Sequence, residues 1–151
     1  MRYGLVAFDV DGTLIELEKH KNIWELLNNF FKVDKRIVRE MYEDFIAGRI
    51  SYEEWASRAF EQYVRRGINK KKLYGAIENI KPMPGALNTL KELKRRNLKL
   101  AVISGSLDLL IKRFFPINLF SYLLINRVCF DKKGCHLGQR HTAMESIRLK
   151  D

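Results

Sequence analysis

Phe8-Asp9-Val10-Asp11-Gly12-Thr13-Leu14-Ile15 is the stretch on which the reading of this chain turns. Tyr3 to Phe8 precede it, a short and mostly apolar run containing Val6 and Phe8. Such a run reads as a buried strand of a parallel sheet. The strand ends on a carboxylate, a second follows two residues later, and Gly12 lets the chain turn sharply. Two carboxylates at the carboxyl end of an interior strand are costly to bury without a cation between them. Mg2+ meets that need, because it takes oxygen ligands and keeps room for substrate phosphate. The plainer alternative is a strand ending in a polar turn, where Asp and Gly are common. A calcium loop is excluded, since it needs glycine at its sixth position and a helix in front; here Gly12 is fourth and a strand precedes.

With Phe8 in front and Leu14-Ile15 behind, Asp9-Val10-Asp11-Gly12-Thr13 resembles the first motif of the haloacid dehalogenase superfamily of phosphohydrolases, Asp-x-Asp-x-Thr/Val after an apolar strand. The resemblance implies an α/β fold: a Rossmann-like parallel sheet core with a cap domain, and Mg2+-dependent phosphomonoester hydrolysis. In that scheme Asp9 attacks phosphorus and Asp11 is the general acid and base. The Asp9 carboxylate and the Asp11 backbone carbonyl hold the metal.

Composition sets wider bounds. With 151 residues, 46% hydrophobic and 30% charged, the chain suits one globular domain carrying a small insertion. No apolar run is long enough to span a membrane, and no signal peptide is read at the start. Two cysteines make no disulfide framework, so a reducing cytoplasm is the expected compartment. The net charge of +10 suits anionic partners, either phosphorylated metabolites or nucleic acid. The basic clusters Arg65-Arg66, Lys70-Lys71-Lys72, Lys94-Arg95-Arg96 and Lys132-Lys133 sit at helix ends and turns without interleaved aromatics. They read as solvated surface, and nucleic-acid binding ranks last.

Residues 16–80 read as four amphipathic helices. His20 to Lys32 carries Ile23, Trp24, Leu27, Phe30 and Phe31 at helical spacing. Asp34 is a candidate N-cap for the second helix and Gly48 its stop. Ser51 and Glu54 form a capping pattern for the third, and Asn69 can cap the fourth. The apolar stripes read as bundle core. The expected domains are therefore residues 1–15 with 81–151 as core and 16–80 as helical cap. In the superfamily a cap inserted after the first motif sits over the active site and reads the substrate beyond the phosphate. The phosphoserine phosphatase branch has a glutamate close behind the motif and an arginine in the cap. Glu18 stands at the first distance and Arg58 lies near the second, although its alignment is loose.

Pro82-Met83-Pro84-Gly85 punctuates the return. A helix from Ala86 to Arg96 leads into a second buried strand, Leu98 to Ile103, which ends at Ser104-Gly105-Ser106. This resembles the superfamily's second motif, a Ser or Thr closing that strand. It implies that Ser104 and backbone N–H groups near Gly105 and Gly12 hold phosphate, beside a helix expected to start near Ser106. The alternative is a loop that only caps the helix. A third strand is expected over Tyr122 to Asn126, then a hairpin of Arg127 to Phe130 and Cys135 to Leu137. Cys129, Cys135, His136 and His141 invite a zinc site, but the cysteine spacing is wider than zinc sites use.

Two superfamily motifs have no counterpart here: a lysine beside the nucleophile and a Gly-Asp-x-x-x-Asp acidic pair. No Gly-Asp dipeptide occurs in the chain; Lys132 and Lys133 lie in the hairpin turn, and Lys150 in a tail, residues 139–151, expected to be helical. A C-terminally truncated relative follows as an expectation, with an incomplete sheet whose first strand lies at an open, apolar edge. Such edges pair with something, so self-association through the first strand, or a tail covering it, is expected. The competing functional class is a weak or inactive relative that binds an anion or a protein partner.

Overall fold

The structure, a computed structural model, describes residues 3–132 and 134–141. Two compact units divide the chain. Among the described residues, one comprises 3–23, 80–128 and 138–141, the other 24–79 with 129–132 and 134–137.

The first unit is an α/β core. Its sheet runs β1 (Leu5–Phe8), β4 (Lys99–Leu107), β5 (Tyr122–Asp131) and β6 (Gly134–His141), in that spatial order. β1 and β4 are parallel, with Phe8 opposite Val102, and β4 and β5 are parallel, with Val102 opposite Leu123. Parallel neighbours require crossovers. The one between β4 and β5 is α6 (Asp108–Phe114), which ends before Pro116. Ahead of β4 lies α5 (Ala86–Arg95), entered through Gly85 at φ 82°, a left-handed conformation that glycine adopts without strain. Buried Leu90, Leu100, Val102, Leu110, Ile111 and Ile125 form the core of this unit. The return from the helices is fixed by two short strands, β2 (Ile15–Glu16) and β3 (Lys81–Pro82), paired antiparallel.

Four expectations are corrected here. β1 is not a buried strand: Leu5 is 43% exposed, and among the described residues β1 lies at the sheet edge, where the lack of a fourth strand led it to be expected. Apolar composition alone does not separate an interior strand from an edge. The third strand and the first hairpin arm are one continuous strand, β5, in which Arg127 points to solvent. β4 runs past its expected end at Ile103, through Ser104-Gly105-Ser106 to Leu107, and α6 begins at Asp108. Of the tail expected to be helical, Gln139 to His141 belong to β6; residues 142–151, Lys150 among them, lie outside the described residues, as does Lys133.

The second unit contains α1 (Ile23–Phe30, from its second residue), α2 (Lys35–Ile46), α3 (Tyr52–Val64) and α4 (Lys70–Ala76). The three expected caps form. Asp34 accepts from Arg36 N at 2.7 Å, Ser51 from Glu54 N at 3.1 Å, and Asn69 from Lys72 N at 2.9 Å. Each satisfies an N–H that the helix itself leaves unpaired. Lys32, not Gly, takes the positive φ of 52° after α1, and α1 starts at Ile23, three residues later than the periodicity suggests. Tyr63, wholly buried, stacks on Trp24 at 6.5 Å and on Phe31 at 5.2 Å and meets Phe60 edge-on at 5.7 Å. Its hydroxyl donates to Asn28 Oδ1 at 2.9 Å.

The tip of the β5–β6 hairpin, Cys129 to Leu137, groups with the helices, and Phe130 packs on Tyr74 at 6.5 Å between centroids. Cys129 and Cys135 are free thiols. Burial pushes the Cys135 thiol up from its ordinary 9.0 to about 11, and the nearby Cys129 thiol adds to the rise. A raised acid favours the fold while neutral, so this contribution is intact below pH 9 and is lost as pH climbs through 11. Urea midpoints at pH 8 to 11 are expected to fall more steeply for the native chain than for Cys135→Ala. Parallel curves would refute this.

Candidate functional site

The β1–β4 register brings the two sequence motifs together. Phe8 lies opposite Val102 in parallel strands, so Asp9, just past β1, and Ser104, in the last part of β4, both lie toward the carboxyl side of the sheet. That is where open α/β sheets bind ligands. The loop after β1 is a tight turn: the N–H groups of Thr13, Leu14 and Ile15 all donate to the Val10 carbonyl, and Gly12 N donates to Ile15 O at 2.9 Å. Gly12 has φ 77°, which makes glycine the residue for this position.

The two carboxylates behave differently. Asp9 is exposed and has no hydrogen bond or ion pair among the described residues. Asp11 is gripped on both oxygens. Ser106 Oγ donates to Oδ1 at 2.7 Å, and Ile23 N donates to Oδ2 at 2.9 Å. Burial pushes the Asp11 carboxyl above its ordinary 3.8; the Ser106 and Ile23 hydrogen bonds pull it down, and the neighbouring Asp9 charge pushes it up again. The rise is the net result. A carboxyl displaced upward holds a proton more readily at a given pH, which suits an acid catalyst. Its neighbour stays open to a reacting atom.

Ser104-Gly105-Ser106 sits where the β4–β5 register shifts, between Ile103 and Leu107. Such an irregularity re-aims side chains. Ser104 is buried and its Oγ accepts from Ser106 N at 3.1 Å. Asn126, also buried, donates from Nδ2 to Gly105 O at 2.7 Å and to Ser106 O at 3.1 Å. Asp108, 2% exposed, accepts from Val128 N at 2.9 Å and pairs with Lys112. The end of β4 and the start of α6 are thus each tied to β5.

Sequence reasoning missed Ser106, Asn126 and the Ile23 N–H. Ser106 lies 95 residues from Asp11 in the chain, and no local pattern announces that contact. Asn126 had a signal that was passed over, a lone amide at the end of an apolar run. Glu18 belongs to the core unit and Arg58 to the helical unit. Glu18 is exposed in a turn at φ 50°. Arg58 pairs with Glu54 at 2.6 Å and lies 3.8 Å from Asp44, so its guanidinium is engaged by its own unit's carboxylates. Among the described residues no group of three or more His, Cys, Asp or Glu is placed to hold a metal ion. No helix among them is long and apolar enough to cross a membrane.

Comparison with known proteins agrees with the arrangement of the core. Residues 3–142 match the haloacid dehalogenase-like hydrolase family. A phosphoserine phosphatase of Methanocaldococcus jannaschii is 29% identical over 124 residues, covering 82% of this chain and 56% of that protein. The chain therefore spans little more than half the length of this relative. A substrate-bound phosphoserine phosphatase structure superposes with a TM-score of 0.63 at 23% identity, over 91% of this chain and 63% of the other. A phosphoserine phosphatase carrying a phospho-aspartyl intermediate analogue gives 0.57 at 24% identity, over 94% and 64%. These two establish likeness of fold. The family match, spanning all of the described residues and both motifs, places the chain in the haloacid dehalogenase-like hydrolase family.

Proposed function

We propose that this chain is a phosphomonoester hydrolase that works through an aspartyl-phosphate on Asp9. The observation that carries the reading is the contrast between the two carboxylates: Asp9 exposed and unpartnered among the described residues, Asp11 held on both oxygens and shifted upward. A nucleophile must be open to substrate, and a proton donor must be oriented and hold its proton. Asp9 Oδ attacks phosphorus, and the P–O bond to the leaving group breaks as Asp11 gives that oxygen a proton. Asp11 then takes a proton from the water that attacks the phosphorus of the aspartyl-phosphate, releasing inorganic phosphate and regenerating Asp9. Ser104 and backbone N–H groups near Gly12 and Gly105 hold the phosphoryl oxygens, the Gly12 N–H itself being given to Ile15 O.

Mg2+ is the proposed cofactor. The oxygen donors present, the Asp9 carboxylate and the Asp11 backbone carbonyl, suit a cation that takes one or two protein ligands and completes its shell with water and substrate phosphate. The Asp11 carboxyl, which accepts from Ile23 N and Ser106 Oγ, is kept for proton transfer. When bound, Mg2+ would offset negative charge between Asp9 and phosphate. The substrate class proposed is a small phosphorylated metabolite, with an amino acid phosphate as the specific candidate and Glu18 and Arg58 as its candidate contacts. Residues 16–80 are proposed as the cap and the cytoplasm as the compartment. Mg2+-dependent release of p-nitrophenol from its phosphate tests the central reading; tight tungstate binding without turnover would replace it with the anion-binding alternative.

A second copy of the chain is the proposed partner, docked on β1. The strand Leu5-Val6-Ala7-Phe8 has no charge, proline or bulge to block edge pairing. Leu5 and Ile103 share a sheet face by register and are 43% and 54% exposed, whereas parallel sheets are covered on both faces. Light scattering is expected to show a dimer that Leu5→Lys dissociates. A monomer with freely exchanging β1 amides would end this proposal.

A further inference from the structure

We propose that Ser106 is a positioning residue for Asp11, fixing the carboxyl plane from which the proton is delivered; this rests on the hydrolase reading above. A carboxyl group turns readily about its last bond, so one hydrogen bond leaves it a swing and two on opposite oxygens do not. Asp11 has two. Ile23 N holds Oδ2 at 2.9 Å and Ser106 Oγ holds Oδ1 at 2.7 Å. The backbone donor is available whatever residue stands at 23. The hydroxyl donor depends on serine at 106.

Ser106 is itself built in. It is 1% exposed, its N–H donates to Ser104 Oγ at 3.1 Å, and its carbonyl accepts from Asn126 Nδ2 at 3.1 Å. With backbone pinned on both sides, the hydroxyl has one place to be. The register shift between Ile103 and Leu107 falls on this segment. The same three-residue loop therefore carries a phosphate-facing candidate, Ser104, and the group that orients the acid, Ser106. A buried side chain joins the two strand ends across 95 residues of sequence.

Leaving groups distinguish this role from simple support of the loop. p-Nitrophenolate departs with little help from an acid, whereas an alkoxide needs its proton. Ser106→Ala is expected to lower kcat on glycerol phosphate on the order of tenfold or more, with p-nitrophenyl phosphate changed about twofold and both KM values held; misorientation alone causes losses of that size. Ser106→Thr, which keeps the hydroxyl, is expected to restore most of the loss. Equal losses on the two substrates, or no loss, would overturn the proposal. Amide hydrogen exchange at Ile23 gives a reading independent of turnover. Loss of the Ser106 donor frees Asp11 to swing, so the Ile23 N–H is expected to exchange faster in Ser106→Ala and normally in Ser106→Thr. If the native chain hydrolyses neither phosphate, the hydrolase reading fails by itself. Unchanged Ile23 exchange in Ser106→Ala would then dispose of Ser106 as well, and faster exchange would uphold its hold on Asp11.

Discussion

Asp9→Asn is expected to abolish Mg2+-dependent phosphatase turnover, by roughly four orders of magnitude or more, while leaving the fold intact. The size follows from the role. Removing a nucleophile removes the covalent path, and the residual rate is what binding and electrostatics supply alone. The fold survives because Asp9 is exposed and makes no hydrogen bond or ion pair among the described residues; surface substitutions of that kind are usually within about 0.5 kcal/mol of neutral. The isosteric amide also lowers the negative charge that an incoming phosphate meets, so inorganic phosphate or tungstate should bind at least as well. The measurement is a paired one: steady-state release of p-nitrophenol, and tungstate titration by calorimetry. A variant retaining a tenth of native turnover would mean that phosphorus is attacked by something other than Asp9. A native chain that binds tungstate and turns nothing over would favour the anion-binding alternative.

What could be read from sequence and what could not divide along a physical line. The strand-end carboxylates, Gly12 and the Ser104 loop were legible because each is a local pattern: an apolar run, then polar residues at fixed spacing. The helical caps at Asp34, Ser51 and Asn69 were legible for the same reason, since an N-cap acts within three residues. The edge position of β1 was legible only through an argument about which strand would be its neighbour; the composition of Leu5 to Phe8 gave the opposite answer. The continuity of β5 was hidden by Arg127, a charge that a strand carries without cost on a solvent-facing position. Ser106 and Asn126 were illegible because their partners come from distant segments, and a hydrogen bond across 95 residues leaves no period in the chain. The site's first layer is thus a matter of motif, and its supporting layer is a matter of tertiary packing.

Tyr63→Ala is expected to unfold or nearly unfold the helical unit. Tyr63 is wholly buried in α3 and is the ring on which Trp24, Phe31 and Phe60 converge. Truncating a buried aromatic to alanine costs about 3–5 kcal/mol through lost transfer energy and the cavity left behind. A unit of this size holds only a few kcal/mol in total, so one such loss consumes most of it. Tyr63→Phe isolates the polar share: it keeps the ring and removes the hydroxyl that donates to Asn28 Oδ1 at 2.9 Å, for about 1 kcal/mol. Burial also pushes the Tyr63 hydroxyl well above its ordinary 10.0, so it stays a neutral donor throughout the range in which the comparison is made. The chain's two tryptophans, Trp24 and Trp55, lie in this unit and touch at 5.1 Å. Tryptophan fluorescence during urea titration therefore reports the helices and not the sheet. Hydrogen exchange at the amides of β4 follows the core separately. The expected result is early loss of fluorescence in Tyr63→Ala with β4 protection retained. Loss of both together would show that the core unit depends on the helices to fold, and a fluorescence midpoint within about 0.5 kcal/mol of native would show that the aromatic cluster is not what holds them together.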